Sequence, residues 1–188
     1  MRVFGVDPGS TRTGYGCVDS DGTRHRLVLC GAIALPATAS FPEKLLLIHT
    51  GLASRIREAR PDCVVVENVF HSANARSALL LGHARGVALL AAVEAGLPVV
   101  EYTPAEVKRA VVGYGRAEKA QVQQMIKLLL GLDQAPSPHD VSDALAIAVC
   151  HLHRLGPLVS VPSGRGRSTE TAPRGTPRSW RQWKPKAP

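Results

Sequence analysis

The chain has no uninterrupted apolar run approaching the ~20 residues that a bilayer-crossing helix needs. Its first residues, MRVFGVDPGS, lack the apolar stretch and small-residue cleavage site of a secretory leader. Both absences lead to the expectation of a cytoplasmic protein with no membrane partner. Cysteine is sparse: Cys17, Cys30, Cys63 and Cys150 are scattered, and no CxxC pair occurs. In a reducing compartment such residues are expected as small buried hydrophobes rather than disulfides or zinc ligands. No internal repeat is present.

The 188 residues suffice for one domain with a sizeable core. Their net charge of +8 suggests a polyanionic partner, but the charge is unevenly placed. Residues 160–188 hold seven basic side chains against the single acid Glu170, a local charge of +6. The body, residues 1–159, carries only +2, so any nucleic-acid surface on it must be a local patch. These two segments are the expected domains: a folded body over 1–159 and a Pro/Gly/Arg-rich tail over 160–188 with little to bury. Trp180 and Trp183 sit among the tail's cations. They suit a nucleic-acid-contacting arm with stacking rings, or a solvated tail with incidental aromatics.

In the body, Arg2 to Asp7 is an apolar run ending in an acid, followed by the turn signal Pro8-Gly9-Ser10. Gly14 to Ser20 and Arg26 to Leu35 have the pattern of two strands joined through Ser20-Asp21-Gly22. Pro42 to Arg60 has near-helical apolar spacing. Cys63 to Val66 is a short strand closed by Glu67, and Asn74 to Ala95 a long Ala/Leu helix. A strand at Val99 to Tyr102 and helices from Pro104, Glu118 and Pro138 complete the order. That order predicts an α/β fold with a mixed central sheet, its first three strands antiparallel, flanked by helices.

Asp7 and Glu67 each follow a run apolar enough to be a central strand. Neighbouring strands lie ~4.8 Å apart, so two such ends can bring their carboxylates to one ion. Asp140 and Asp143, three residues apart at the start of the last helix, share a helical face. The apolar stretch Ala144 to Val149 must pack on the core, which carries that acidic first turn towards the sheet. Plainer roles exist for each acid. Asp140 stands three residues after Ser137, as in a capping box, and the helix dipole favours acids there. Asp7 can form an Asx turn before Pro8-Gly9. Glu67 is harder to dismiss, since an acid closing a Val-Val-Val run is costly to bury unpaired. Clustered carboxylates repel, and divalent Mg²⁺ or Mn²⁺ relieves the repulsion with hard-oxygen coordination. Two such ions can activate a water on one side of a phosphodiester and stabilise the leaving oxygen on the other. His139 is a ligand or proton carrier, or a capping or surface residue.

The opening Phe4-Gly5-Val6-Asp7-Pro8-Gly9-Ser10-Thr11-Arg12-Thr13-Gly14-Tyr15-Gly16 resembles the first motif of RuvC-type Holliday junction resolvases. Glu67-Asn68-Val69-Phe70 resembles their second acidic motif, and the stretch from Val107 to Lys119 their basic segment. His139-Asp140-Val141-Ser142-Asp143-Ala144-Leu145 resembles their C-terminal acidic helix. The match runs to about residue 155, with four motifs in order. The resemblance implies an RNase H-like fold and a homodimer that nicks four-way DNA junctions symmetrically. It also implies a sequence preference at the cut and handover from the RuvA–RuvB branch-migration machine. Asp7, Glu67, Asp140 and Asp143 match the family's metal-binding acids, which implies two Mg²⁺ per site with Mn²⁺ able to substitute. Some relatives carry histidine at the position of Asp140.

Other residues fit these roles. Lys108, Arg109, Arg116 and Lys119 form the body's most basic stretch and suit phosphate contacts, or a solvated charged face. Phe70, three residues past Glu67, suits stacking beside an unpaired base, or the core. Asn74 to Ala95, with Gly82 and Gly86, is expected as the dimer helix, unless those glycines pack on the sheet. An actin-like ATPase or sugar kinase also opens with a strand, an acid and a Gly/Ser/Thr turn. Such a protein needs a duplicated fold for which this chain is too short, and no GxxxxGK[ST] loop is present. A nuclease for RNA–DNA hybrids or single strands shares the acids and is separated by substrate. A non-catalytic junction binder gains nothing from acids facing DNA.

Overall fold

The computed structural model describes residues 1–68 and 74–156. Five strands form one sheet: β1 (Arg2–Asp7), β2 (Arg12–Ser20), β3 (His25–Ala34), β4 (Cys63–Glu67) and β5 (Val99–Tyr102), in the order β3-β2-β1-β4-β5. The pairs β1–β2 and β2–β3 are antiparallel, whereas β4 runs parallel to β1 and β5 parallel to β4. Five helices flank it: α1 (Phe41–Ala59), α2 (Ala75–Glu94), α3 (Pro104–Val112), α4 (Lys119–Leu129) and α5 (His139–Leu155). This is the mixed, helix-flanked sheet expected from the sequence.

Strand alternation divides the core into two layers. Phe4, Val6, Tyr15, Cys17, Val64 and Val66 face α1 and α2. Val3, Val18, Cys63 and Val65 face α5, which is in turn overlaid by α3 and α4. α5 is buried from Ala144 to Leu152, as a helix covered on both sides must be. Its approach to the sheet depends on glycine. A Cβ at Gly5 would overlap the Ala144 carbonyl, and one at Gly14 would overlap the carbonyl of Asp140. These two positions let the helix N-terminus settle onto the ends of β1 and β2.

Several boundaries differ from the sequence-based expectation. β2 starts at Arg12, not Gly14, because Arg12 and Thr13 pair with Ala34 and Ile33 of β3 beyond the end of β1. Pro138 is the N-cap of α5 rather than a first-turn residue, and no side chain caps that end. The capping box considered for Ser137 and Asp140 is therefore absent. Capping boxes close α1, through Ser40 and Glu43, and α3, through Thr103 and Glu106. Of the four free cysteines, Cys17, Cys63 and Cys150 are buried as expected, but Cys30 is exposed on the edge strand β3.

Arg76 and Arg85 interrupt the apolar residues of α2. The helix is nonetheless long and apolar enough to cross a membrane by length and composition, with a mean hydropathy of 1.3. Its alanines, Ala84, Ala88, Ala91 and Ala92, pack inward, and Arg85 is ion-paired with Glu101 of β5. One face thus belongs to the core, while Leu79, Leu90 and Val93 remain exposed.

Candidate active site

Asp7 and Glu67 close the two central parallel strands. Val6 pairs with Val66, so the acids that follow are adjacent at the carboxyl edge. By alternation both point to the α5 side of the sheet, as Gly5 and Val65 do. α5 brings Asp143 to the same place. Asp7, Glu67 and Asp143 line a cleft of about 230 Å³ together with Lys108 of α3 and Lys119 of α4. Pro104, Val107 and Val122 supply its apolar wall.

The electrostatics follow from this crowding. Burial pushes the Asp7 carboxyl well above the usual range, and the charges of Glu67, Asp143 and Asp140 push it further. Burial also raises Glu67, with Asp143 adding to the effect and a hydrogen bond to Asp7 opposing it. Lys119 partly offsets the negative charge: its Nζ donates to Asp143 Oδ2 at 3.0 Å. Burial works hardest against the lysine's charge, but the bond to Asp143 and the charges of Asp143, Asp7 and Glu67 together outweigh it and raise Lys119.

Asp140 departs from the other three. Its carboxylate is absent from the lining of the cleft and sits 3.5 Å from Arg12 Nη1. Asp140 and Asp143 occupy one side of α5, as their spacing predicts, yet they lean to opposite cations. Among the described residues, no three Asp, Glu, His or Cys side chains converge at metal-ligand spacing. His139 is exposed, and its carbonyl accepts from Ser142. Lys108 and Lys119 reach the cleft, whereas Arg109 and Arg116 are exposed and do not line it. Phe70 and the tail fall outside the described residues. Sequence reasoning missed Arg12 as a site residue. It was visible in the first motif, but nothing local says that it faces α5.

The chain resembles known proteins over nearly all of its described body. The family model for crossover junction endodeoxyribonuclease RuvC matches residues 3–151 and ends short of the tail. Crossover junction endodeoxyribonuclease RuvC of Citrifermentans bemidjiense is 55% identical over 156 residues, covering 83% of this chain and 94% of that protein. Its counterpart from Ruminiclostridium cellulolyticum is 47% identical over 161 residues, covering 85% and 97%. Among solved structures, T. thermophilus RuvC in complex with Holliday junction substrate matches with a TM-score of 0.78 at 37% identity, over 82% of this chain and 94% of that one. The yeast mitochondrial Holliday junction resolvase shares the fold at 13% identity, with a TM-score of 0.56 over 80% of this chain and 78% of that one. An acid-lined cleft at the edge of this sheet and a match spanning the body together mean that the chain belongs to the RuvC family of crossover junction endodeoxyribonucleases.

Proposed function

We propose that this chain is a metal-dependent endonuclease that resolves four-way DNA junctions, with Asp7, Glu67, Asp140 and Asp143 as its metal-binding acids. One observation carries the reading: Asp7, Glu67 and Asp143 share a cleft with two lysines, in a chain whose relatives are named crossover junction endodeoxyribonucleases. The donor set fits a hard divalent cation. It consists of carboxylate oxygens, and burial and mutual repulsion oppose ionisation of Asp7 and Glu67 unless positive charge is supplied. Mg²⁺ is the proposed ion, two per site, with Mn²⁺ able to substitute. Bound Mg²⁺ supplies Lewis acidity that activates water and stabilises the leaving oxygen of a phosphodiester.

The protein's own residues hold and orient the substrate. Strand ends fix Asp7 and Glu67, so their carboxylates need little reorganisation. Lys108 and Lys119 set positive charge where a phosphodiester must enter. Arg109 and Arg116 extend that charge as phosphate contacts that position DNA without reading sequence. Phe70 stacks beside an unpaired base at the junction. The enzyme acts in the cytoplasm and receives its junctions from RuvA–RuvB.

Two symmetric nicks call for two copies of the site, and the proposed assembly is a homodimer through α2. A Cβ at Gly82 or Gly86 would meet nothing within 4 Å, so these glycines do not pack on the sheet. They floor an open apolar groove with Leu45, Leu79 and Leu90. That surface suits a second copy of the same helix.

Asp7→Asn tests the metal assignment. It is expected to retain junction binding and to abolish cutting in Mg²⁺. Cutting at the wild-type rate would remove Asp7 from the machinery.

A further inference from the structure

Arg12 has no part in the roles assigned above, yet it touches one of the four acids. It lies beyond the last β1–β2 pair, Asp7 with Gly14, on the part of β2 held only by β3. Its guanidinium is 3.5 Å from Asp140, and the two side chains are 44% and 35% exposed. The backbone of Asp140 has little freedom, because its carbonyl lies against Gly14. Side-chain rotation is what remains, and the Asp140 carboxylate lies towards Arg12 rather than in the lining of the cleft. Across the cleft, Lys119 holds Asp143 in the same manner. Two of the four acids therefore already carry an internal cation.

We propose that Arg12 is a positioning residue, an internal counter-ion that keeps Asp140 turned from the Asp7–Glu67–Asp143 cleft until a DNA phosphate takes the guanidinium. A guanidinium pairs with phosphate as well as with carboxylate, through the same planar fork of donors. Half-exposed, Arg12 can exchange one partner for the other without unfolding anything. Release of Asp140 then completes the acid set as substrate arrives. The inference rests on the metal-dependent nuclease reading and concerns the order in which its parts assemble.

The test is Mn²⁺ binding to the DNA-free protein, followed by electron paramagnetic resonance of the free ion. Arg12→Gln is expected to tighten Mn²⁺ binding about two- to fivefold, the scale of a half-exposed ion pair. Arg12→Lys, which keeps the charge, is expected to restore wild-type affinity. In an Asp140→Asn background the gain from Arg12→Gln is expected to vanish, which separates loss of this pair from a general change in charge. A second readout is junction binding in chelator. Arg12→Gln is expected to reduce the slope of log affinity against log salt by about 1, the loss of one phosphate contact. Equal Mn²⁺ affinity in Arg12→Gln and wild type, or a gain that survives Asp140→Asn, would overturn the counter-ion role. An unchanged salt slope would overturn the exchange onto phosphate. Failure of the underlying reading looks different: Mn²⁺ binding to the wild type would then be indifferent to Asp7→Asn.

Discussion

Asp7 concentrates the conflict between stability and activity in one side chain. It is held among apolar strands and three other acids, so its charge is opposed by burial first and repulsion second. Its folded pKa lies above its unfolded one. In the metal-free protein the associated stability is present in full below the ordinary carboxylate range. It is lost as pH rises through the folded value, because over that window the folded state holds a proton that the unfolded chain releases. Asp7→Asn removes this dependence. Metal-free Asp7→Asn is therefore expected to be more stable than wild type at neutral pH, by on the order of 1–3 kcal/mol. The difference should close as pH falls to about 4. Paired thermal melts in chelator check this, and a constant difference from acid to neutral pH would contradict it. Asp21, Glu43 and Glu106 shift in the opposite direction through their hydrogen bonds, so the comparison must be made between variants and not on one melting curve. The positions of Asp7 and Glu67 were legible in the sequence, since each closes a run apolar enough to be a central strand. The lean of Asp140 was not. It depends on Arg12, which is distant in sequence and adjacent only once α5 has docked.

Among the elements, α5 does the most to shape the site. It is buried along most of its length, and its acidic first turn is set by contact with β1 and β2 rather than by a side-chain cap. The sequence pattern identified the helix and predicted that its apolar body would carry the acids to the sheet. The form of its N-terminus was misjudged, because Ser137 and Asp140 have the spacing of a capping box without the geometry. Conversely, Ser40–Glu43 and Thr103–Glu106, which were not singled out in the sequence, do cap their helices. Glycine at position 14 is the feature that sets the depth of α5. Gly14→Ala places a methyl group into the Asp140 carbonyl and is expected to cost about 1–3 kcal/mol. It should also lower cleavage by moving the acidic turn off Asp7. Thermal denaturation with a cleavage assay checks both, and a variant with wild-type stability and rate would show that this contact does not set the helix.

For the whole molecule, one sheet carries two distinct surfaces on opposite faces. The α5 side holds the acids, while the α1–α2 side presents the open apolar groove. In the proposed dimer, this separation would let two copies join through one face and offer two clefts from the other. The strand and helix order gave the architecture away because each element had its own periodicity. The groove could not be read in advance: small residues on a helix serve equally well against a sheet or a partner, and only the empty space above Gly82 and Gly86 distinguishes them. Leu79→Glu combined with Leu90→Glu sets like charges across the proposed interface. The double variant is expected to be a folded monomer by sedimentation with a melting temperature close to that of a dissociated wild-type chain. A dimer of undiminished stability would place the interface elsewhere.

The proposed site cuts four-way junctions and needs a divalent metal to do so. Its most direct test is cleavage of an end-labelled synthetic four-way junction in Mg²⁺ or Mn²⁺, alongside linear duplex, flap and RNA–DNA hybrid controls. The expected result is paired, symmetric nicks in two strands of like polarity, in the junction alone, abolished by chelator and by Asp7→Asn. Cutting of the hybrid in preference to the junction, or tight junction binding with no cutting in either metal, would contradict it.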